Sequence, residues 1–90
     1  MTIRDQLAQC EEHTREILGA RVANRLAVWN QYHEGELIQF IQRVIRNNDN
    51  LTNGWELDRQ GKMSIESIVI LNPELFTGED IQIANRTLGR

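Results

Sequence analysis

The feature that most constrains this chain is an amphipathic pattern that runs without a strong break through its first half. Residues 3–47 contain no proline, and apolar side chains recur there at intervals of three and four. These intervals place the apolar side chains on one face of a helix, because an α-helix turns once every 3.6 residues. Only Gly19 and Gly35 weaken the pattern, each by about 1 kcal/mol relative to alanine in a helix interior. We therefore expect residues 3–47 to be helical.

Two arrangements of helices fit this half of the chain. Three short helices would break near Gly19 and Gly35, whereas one long helix would run to about residue 33 and break only at Gly35. Gly19 has no polar turn residue beside it, while His33-Glu34-Gly35 is a plausible turn between two helices. We favour the long first helix, with a second helix over 36–47 folded against it as a helical hairpin.

The chain changes character after a polar loop at residues 49–54. Residues 55–57 and 63–65 alternate apolar and polar side chains on either side of a glycine-containing turn, which is typical of a small β-hairpin. The apolar run that follows is too short for its periodicity to decide its structure. Its β-branched side chains favour a strand, but Ser64 could instead cap a helical turn over 65–71.

The C-terminal residues carry the signals of a short helix. Thr77 is a favourable N-cap, two acidic residues follow in the first turn, and Gly89 lies just beyond the end. At the other terminus, Thr2 and Asp5 make a plausible cap for the first helix. We expect one mainly α domain over residues 1–90, with a helical part over 1–48 and a small β/α part over 55–90.

Size and charge restrict the possible classes of function. A 90-residue domain buries only about 60–65% of the surface of its unfolded chain, so a second copy or a partner often completes its core. The net charge of −3 disfavours a dedicated nucleic-acid binder, because such proteins usually carry a basic excess. We expect no membrane span, because no apolar stretch approaches about 20 residues. Cys10 is the only cysteine and no apolar signal core is seen, so we expect a cytoplasmic protein.

The sequence offers little that resembles catalytic or metal-binding chemistry. Cys10, His13 and His33 form the best nominal metal set, but a zinc site usually needs four such ligands. Cys10 would need a lowered pKa to act as a nucleophile, and cysteines on an apolar helix face are typically inert. No glycine-rich phosphate loop or G-x-S-x-G elbow occurs. We predict no catalytic residue, no metal and no cofactor, and a protein that is not an enzyme.

The residues best suited to bind a partner lie along the predicted first helix. Tryptophan, tyrosine and arginine are enriched at the energetic centres of interfaces, and all three types occur between residues 25 and 32. A long helix would also leave part of its apolar stripe exposed, with a spacing close to the 3.5-residue period of paired helices. The predicted partner-binding or dimer-interface residues are Leu18, Val22, Arg25, Leu26, Trp29 and Tyr32.

These expectations lead to a non-catalytic protein–protein interaction module: an adaptor, a complex subunit or a small inhibitor that binds another protein and itself as a homodimer. The alternative is a DNA-binding transcriptional regulator whose C-terminal segment imitates a helix-turn-helix. A recognition helix usually points its N-terminal residues at the bases. Glu79 and Asp80 at the start of the last helix would repel phosphate, and this disfavours the alternative.

Overall fold

The computed structural model describes residues 2–47 and 54–90, which form six α-helices with no strand among them. The helices are α1 Ile3–Ile17, α2 Ala20–Trp29, α3 Glu34–Arg46, α4 Gly54–Arg59, α5 Ile65–Leu71 and α6 Gly78–Thr87. The loop predicted over 49–54 lies outside the described residues except for Gly54, which begins α4. None of the described helices combines the length and the apolar character needed to cross a membrane.

The six helices surround one hydrophobic core, at the centre of which lies the short helix α5. Helix α5 packs against α1, α3, α4 and α6, while α2 packs mainly against α1. The buried core residues are Ile3, Leu7, Cys10, Leu26, Leu37, Ile41, Val44, Ile45, Ile65, Ile68, Val69, Phe76 and Ala84. Every helix except α4 contributes to this cluster, so residues distant in the sequence depend on one another for burial.

The predicted N-caps of the first and last helices are confirmed. The Thr2 hydroxyl accepts a hydrogen bond from the backbone N–H of Asp5 at 3.1 Å, and the Asp5 carboxylate accepts one from the N–H of Thr2 at 3.2 Å. Thr77 and Asp80 repeat this reciprocal arrangement at the start of α6, with both distances at 3.1 Å. Each pair satisfies two backbone donors that a helix start would otherwise leave free.

The predicted long first helix is wrong, because the chain turns at Gly19. Helix α1 ends at Ile17, and Gly19 adopts φ +99° and ψ 177° before α2 begins. This backbone conformation is open to glycine and strained for other residues. The first half therefore has the three-helix arrangement, and α2 folds back against α1. The second turn ends at His33, so that Gly35 lies inside α3.

The predicted β-hairpin is also wrong, because its first half lies in α4, its turn is the end of α4, and its second half leads through the N-cap Ser64 into α5. Gly61 has φ +73°, its N–H donates to the carbonyl of Asp58 at 3.0 Å, and the N–H of Lys62 donates to the carbonyl of Leu57 at 2.9 Å. These two hydrogen bonds form a Schellman motif, in which glycine ends a helix. A glycine between two alternating segments has the same sequence pattern in a hairpin turn and in a helix C-cap.

Residues 65–71 form helix α5. Of the two alternatives for this segment, the helix capped by Ser64 is therefore correct and the strand is not. The Ser64 hydroxyl accepts a hydrogen bond from the N–H of Ser67 at 3.0 Å. Ile65, Ile68 and Val69 are completely buried, since other helices cover α5 on several sides. A helix that is apolar around most of its circumference has no amphipathic period, and this is why the sequence pattern could not identify it.

Candidate interaction surface

The six predicted interface residues do not form one continuous surface. Leu26 is only 1% exposed and belongs to the hydrophobic core, so it is not available to a second chain. Leu18 and Val22 are half-buried, Arg25 and Tyr32 are exposed, and Trp29 is half-buried. The structure therefore separates Leu26 from the members of the set that solvent can reach.

Three aromatic rings meet where α2 ends and α3 passes beside it. The ring of Phe40 stacks on Trp29, with centroids 6.0 Å apart and an interplanar angle of 3°. Tyr32 packs against Phe40 with centroids 5.1 Å apart and a tilt of 54°. Aromatic pairs at these separations contribute about 0.5–1.5 kcal/mol beyond the burial of their area. We call Trp29, Tyr32 and Phe40 the aromatic cluster.

Arg4 fixes the turn that carries this cluster. Its guanidinium donates hydrogen bonds to the backbone carbonyls of Asn30 and Tyr32, and to Asn30 Oδ1 at 3.2 Å. The last carbonyls of a helix lack partners within the helix, and a cation nearby also interacts favourably with the helix dipole. Arg4 therefore ties the end of α2 to α1 and holds the backbone of Tyr32 in place.

The exposed side of α3 next to the cluster is charged at both ends. The Arg43 guanidinium lies 5.5 Å from the centroid of the Phe40 ring, within the range of a cation–π interaction. Glu36, Gln39, Phe40 and Arg43 line a shallow groove of about 220 Å³. Glu36 precedes Arg43 by two helical turns, or about 10 Å along the axis. The groove is lined by an aromatic ring, with a carboxylate towards the start of α3 and a guanidinium towards its end.

Helix α2 adds a basic and apolar stripe to the same region. Arg21, Arg25 and Val28 follow one another at intervals of four and three, and all three are exposed. Between residues 17 and 33 the chain contains two arginines and no acidic residue. We call the combined surface the α2–α3 face; its members are Arg25, Val28, Trp29, Tyr32, Phe40 and Arg43.

The cations of this face differ from most others in the protein because they lack carboxylate partners. Within residues 2–47 and 54–90, the face's Arg25 and Arg43 form no ion pair, and neither does Arg21 one turn before Arg25 on α2. Five other cations do: Arg15 with Glu11, Arg46 with Asp80, Arg59 with Glu56, Lys62 with Glu16, and Arg90 with Asp58. The guanidinium groups of the α2–α3 face are therefore available to an external anion.

The nominal metal set is dispersed in the structure. Cys10 is completely buried, and burial raises the pKa of its thiol to about 12, so that it stays protonated. His13 Nδ1 accepts a hydrogen bond from the backbone N–H of Met63 at 2.8 Å, and His33 is an exposed residue at the start of α3. In the part of the chain that the structure describes, no three potential ligands come together.

A larger concavity, of about 420 Å³, lies between α1, α5 and the C-terminal residue. Its two cations are already engaged, because Arg90 pairs with Asp58 at 2.8 Å and Lys62 lies 3.7 Å from Glu16. A ligand in this concavity would have to compete with these carboxylates. It is therefore a weaker candidate for an anionic or protein ligand than the α2–α3 face.

The C-terminal segment that could imitate a helix-turn-helix consists of α5 and α6, which pack against each other. At the start of α6, Asp80 is buried and Glu79 is exposed. Asp80 accepts hydrogen bonds from Arg46 at 2.7 Å and Gln42 at 2.9 Å. One carboxylate is thus neutralised within the fold, while Glu79 would still face a phosphate.

Sequence reasoning found part of the α2–α3 face and missed the rest. Arg25, Trp29 and Tyr32 were predicted, whereas Val28, Phe40 and Arg43 were not among the predicted interface residues. Phe40 and Arg43 are three residues apart, the spacing at which side chains meet on a helix surface. That spacing was a usable signal, but only the fold places Phe40 beside Tyr32.

Comparison with protein-family models, curated proteins and solved structures finds no match to this chain. The function proposed below therefore rests on the geometry and chemistry of the chain itself.

Proposed function

We propose that this chain is a non-catalytic protein–protein interaction module that binds its partner through the α2–α3 face. The observation that carries the proposal is the aromatic cluster, which is partly exposed and whose turn is fixed by Arg4. Interface centres are enriched in tryptophan, tyrosine and arginine. A binding surface that is already rigid loses less conformational entropy when the partner arrives, so it binds more tightly.

The exposed apolar residues of the α2–α3 face differ in context from those elsewhere. Tyr32 and Val28 are 39% and 51% exposed and lie four residues apart in the sequence, and Tyr32 packs against Phe40, which stacks on Trp29. Trp55 and Leu71 are also exposed, but Trp55 is partly covered by the guanidinium of Arg59, 5.4 Å from its centroid. Single exposed apolar residues are normal on a protein surface, whereas clusters mark interaction sites.

The predicted homodimer loses its original basis, because the long helix is absent and Leu26 is buried within one chain. A symmetric pair of α2–α3 faces would place the same surface of both copies in contact. Arg25 and Arg43 of one copy would then face a surface that is itself rich in unpaired arginines. We therefore propose a partner of different sequence, and light scattering after size exclusion measures whether a homodimer also forms.

The non-catalytic part of the proposal is supported by the state of the one thiol. Cys10 is buried and protonated, which makes it unsuitable as a nucleophile at neutral pH. A free buried cysteine also suits a reducing compartment, so we place the module in the cytoplasm.

The proposal is tested by affinity capture from the native cell with variants of exposed residues. We expect Val28→Glu and Tyr32→Ala to lower recovery of the main captured protein at least about tenfold, because interface centres commonly contribute more than about 1.4 kcal/mol each. Leu71→Glu and Trp55→Ala are matched controls on exposed apolar residues outside the face, and they should capture normally. Equal capture by all four variants, or equal loss in all four, would contradict the proposal.

A further inference from the structure

The structure points to the chemistry of the partner: we infer that it presents an acidic, amphipathic protein segment to the α2–α3 face. In this arrangement apolar side chains of the segment cover Val28 and Tyr32, and its carboxylates bind Arg25 and Arg43. The inference rests on the proposed function and goes further, because it names the charge and pattern of the ligand.

The distribution of unpaired cations supports an acidic partner. The chain has a net charge of −3, so carboxylates are in excess. Even so, three arginines on or beside the α2–α3 face pair with none of them in the described residues. Arg86 on α6 is also unpaired there, but it makes no cation–π contact within the described residues. Exposed guanidinium groups beside an apolar surface are suited to bidentate binding of carboxylates from another chain.

The position of Arg43 supports the same partner. Its guanidinium lies over the Phe40 ring, and a side chain held in this way loses less freedom when it binds an anion. Arg43 is also exposed and forms no ion pair within the described residues. Arg43 therefore combines an apolar contact and a charged contact at one point, as an amphipathic segment would require.

The opposite charge at the other end of the groove gives a bound acidic segment a direction. Glu36 lines the same groove about two turns before Arg43. A carboxylate of the ligand is attracted by Arg43 and repelled by Glu36, so the groove selects the direction in which a charged segment lies. For an acidic ligand, removing the two groove charges should have opposite effects on affinity.

Aromatic rings with arginines can also bind single-stranded nucleic acid, by base stacking and phosphate contacts. The groove is less suited to that ligand, because Glu36 and the exposed Glu34 lie at the start of α3, where a continuous phosphate backbone would be repelled. In a protein segment, unlike a phosphate backbone, the negative charges can be confined to the end of the groove where the arginine lies. We therefore favour the acidic segment, and binding of nucleic acid is an outcome of the test.

The first experiment is a selection of random 15-residue displayed peptides on the immobilised full chain. Counter-selection on the double variant Val28→Glu/Tyr32→Ala removes peptides that bind elsewhere. We expect the enriched pool to carry an excess of Asp and Glu together with apolar residues at helical spacing. A face-dependent pool that is neutral or basic would overturn the inference and leave the proposed function standing. Failure to enrich any face-dependent peptide would overturn both.

The second experiment measures the affinity of the best selected peptide for charge variants. Arg43→Gln should weaken binding about two- to fivefold and Glu36→Gln should strengthen it by a similar factor, as expected for exposed charge pairs. Arg86→Gln and Glu79→Gln, the same changes on α6, should leave the affinity unchanged. The inference would be overturned if Arg43→Gln strengthened binding and Glu36→Gln weakened it. It would also be overturned if the two α6 variants changed the affinity as much as the groove variants do. Tighter binding of a random-sequence 15-nucleotide single-stranded DNA to the same face would overturn it too.

Discussion

The two halves of this chain stabilise their helices by different means. Helices α1, α2 and α3 have 15, 10 and 13 residues, whereas α4, α5 and α6 have 6, 7 and 10. Helices shorter than about 12 residues are marginal in water without tertiary contacts. The first half depends mostly on long apolar stripes, and the second half depends on caps and buried polar side chains.

The buried polar groups show this difference most clearly. The second half buries Ser64, Glu66, Asn72 and Asp80, while the first half buries Gln6 and Thr14. Asn72 donates a hydrogen bond to Gln6 on α1, and Asp80 accepts hydrogen bonds from two side chains of α3. The short helices are thus joined to the longer ones by polar contacts as well as by the core.

Two buried carboxyl groups in the second half respond to burial in opposite ways. Burial opposes the charge of Asp80, but the ion pair with Arg46 and the hydrogen bonds from Thr77 and Gln42 outweigh it and lower its pKa. Glu66 has no comparable partners: its Oε2 is buried and accepts no hydrogen bond from the described residues. Burial therefore raises the pKa of Glu66, and the nearby charge of Asp58 adds to the effect.

The largest effect is expected from the core of the first half. Leu26→Ala should lower the free energy of unfolding by about 2–5 kcal/mol, because it leaves a cavity among packed side chains. Val28→Ala, two residues along the same helix, is the control and should change it by less than about 0.5 kcal/mol. Urea unfolding measures both. Similar midpoints for the two variants would show that α2 does not pack as described.

The next largest effect is expected from the polar anchor of the second half. Asp80→Ala should cost about 2–4 kcal/mol, because it removes the cap of α6 and leaves the groups that it binds without a partner. Glu79→Ala, in the same helical turn but exposed, should lower the free energy of unfolding by only about a few tenths of a kcal/mol. Urea unfolding of both variants measures the difference.

The lowered pKa of Asp80 also predicts how the stability of the protein changes in acid. Its folded-state pKa is below the unfolded value of about 4, so its contribution is present above that pH and is lost as the pH falls further. The difference between the wild type and Asp80→Ala should therefore shrink below about pH 4. A difference that stays constant from pH 7 to pH 2 would contradict the charged role of Asp80.

A smaller effect is expected where α1 turns into α2. Gly19→Ala should cost about 1–3 kcal/mol, although a Cβ there meets nothing within 4 Å, because the cost comes from the positive φ alone. Gly35→Ala also meets nothing, but it lies inside α3, and it should stabilise the protein by about 0.5–1 kcal/mol. Stabilisation by both changes would support the single long helix instead.

The smallest effect is expected from Glu66, and it has the opposite sign to that of Asp80. A raised folded-state pKa means that stability is complete below the unfolded pKa and is lost as the pH rises. Glu66→Gln keeps the shape without the charge, so it should raise the free energy of unfolding by about 1 kcal/mol at pH 7. The gain should vanish near pH 4, and exposed Glu74→Gln should show neither effect. A loss of stability at pH 7 would mean that the Glu66 charge is stabilised by the fold.

The sequence by itself determined the features that depend on a few neighbouring residues. The caps at Thr2 and Thr77 and the helical character of the first half were predictable because each is decided within a few turns of the chain. The ion pair of Glu11 with Arg15 is a further example, since residues four apart always meet on a helix surface.

Tertiary structure decided the features that depend on residues distant in the sequence. Gly19 breaks the first helix because α2 can bury its stripe against α1 only by turning back, and a local pattern does not contain that gain. Residues 65–71 are helical because α5 is covered on several sides, and this burial removes the periodicity by which a helix is recognised. The exposure of Tyr32 and Phe40 likewise depends on how α1, α2 and α3 pack. Burial is a property of the assembled helices, so the sequence pattern of any one of them could not fix it.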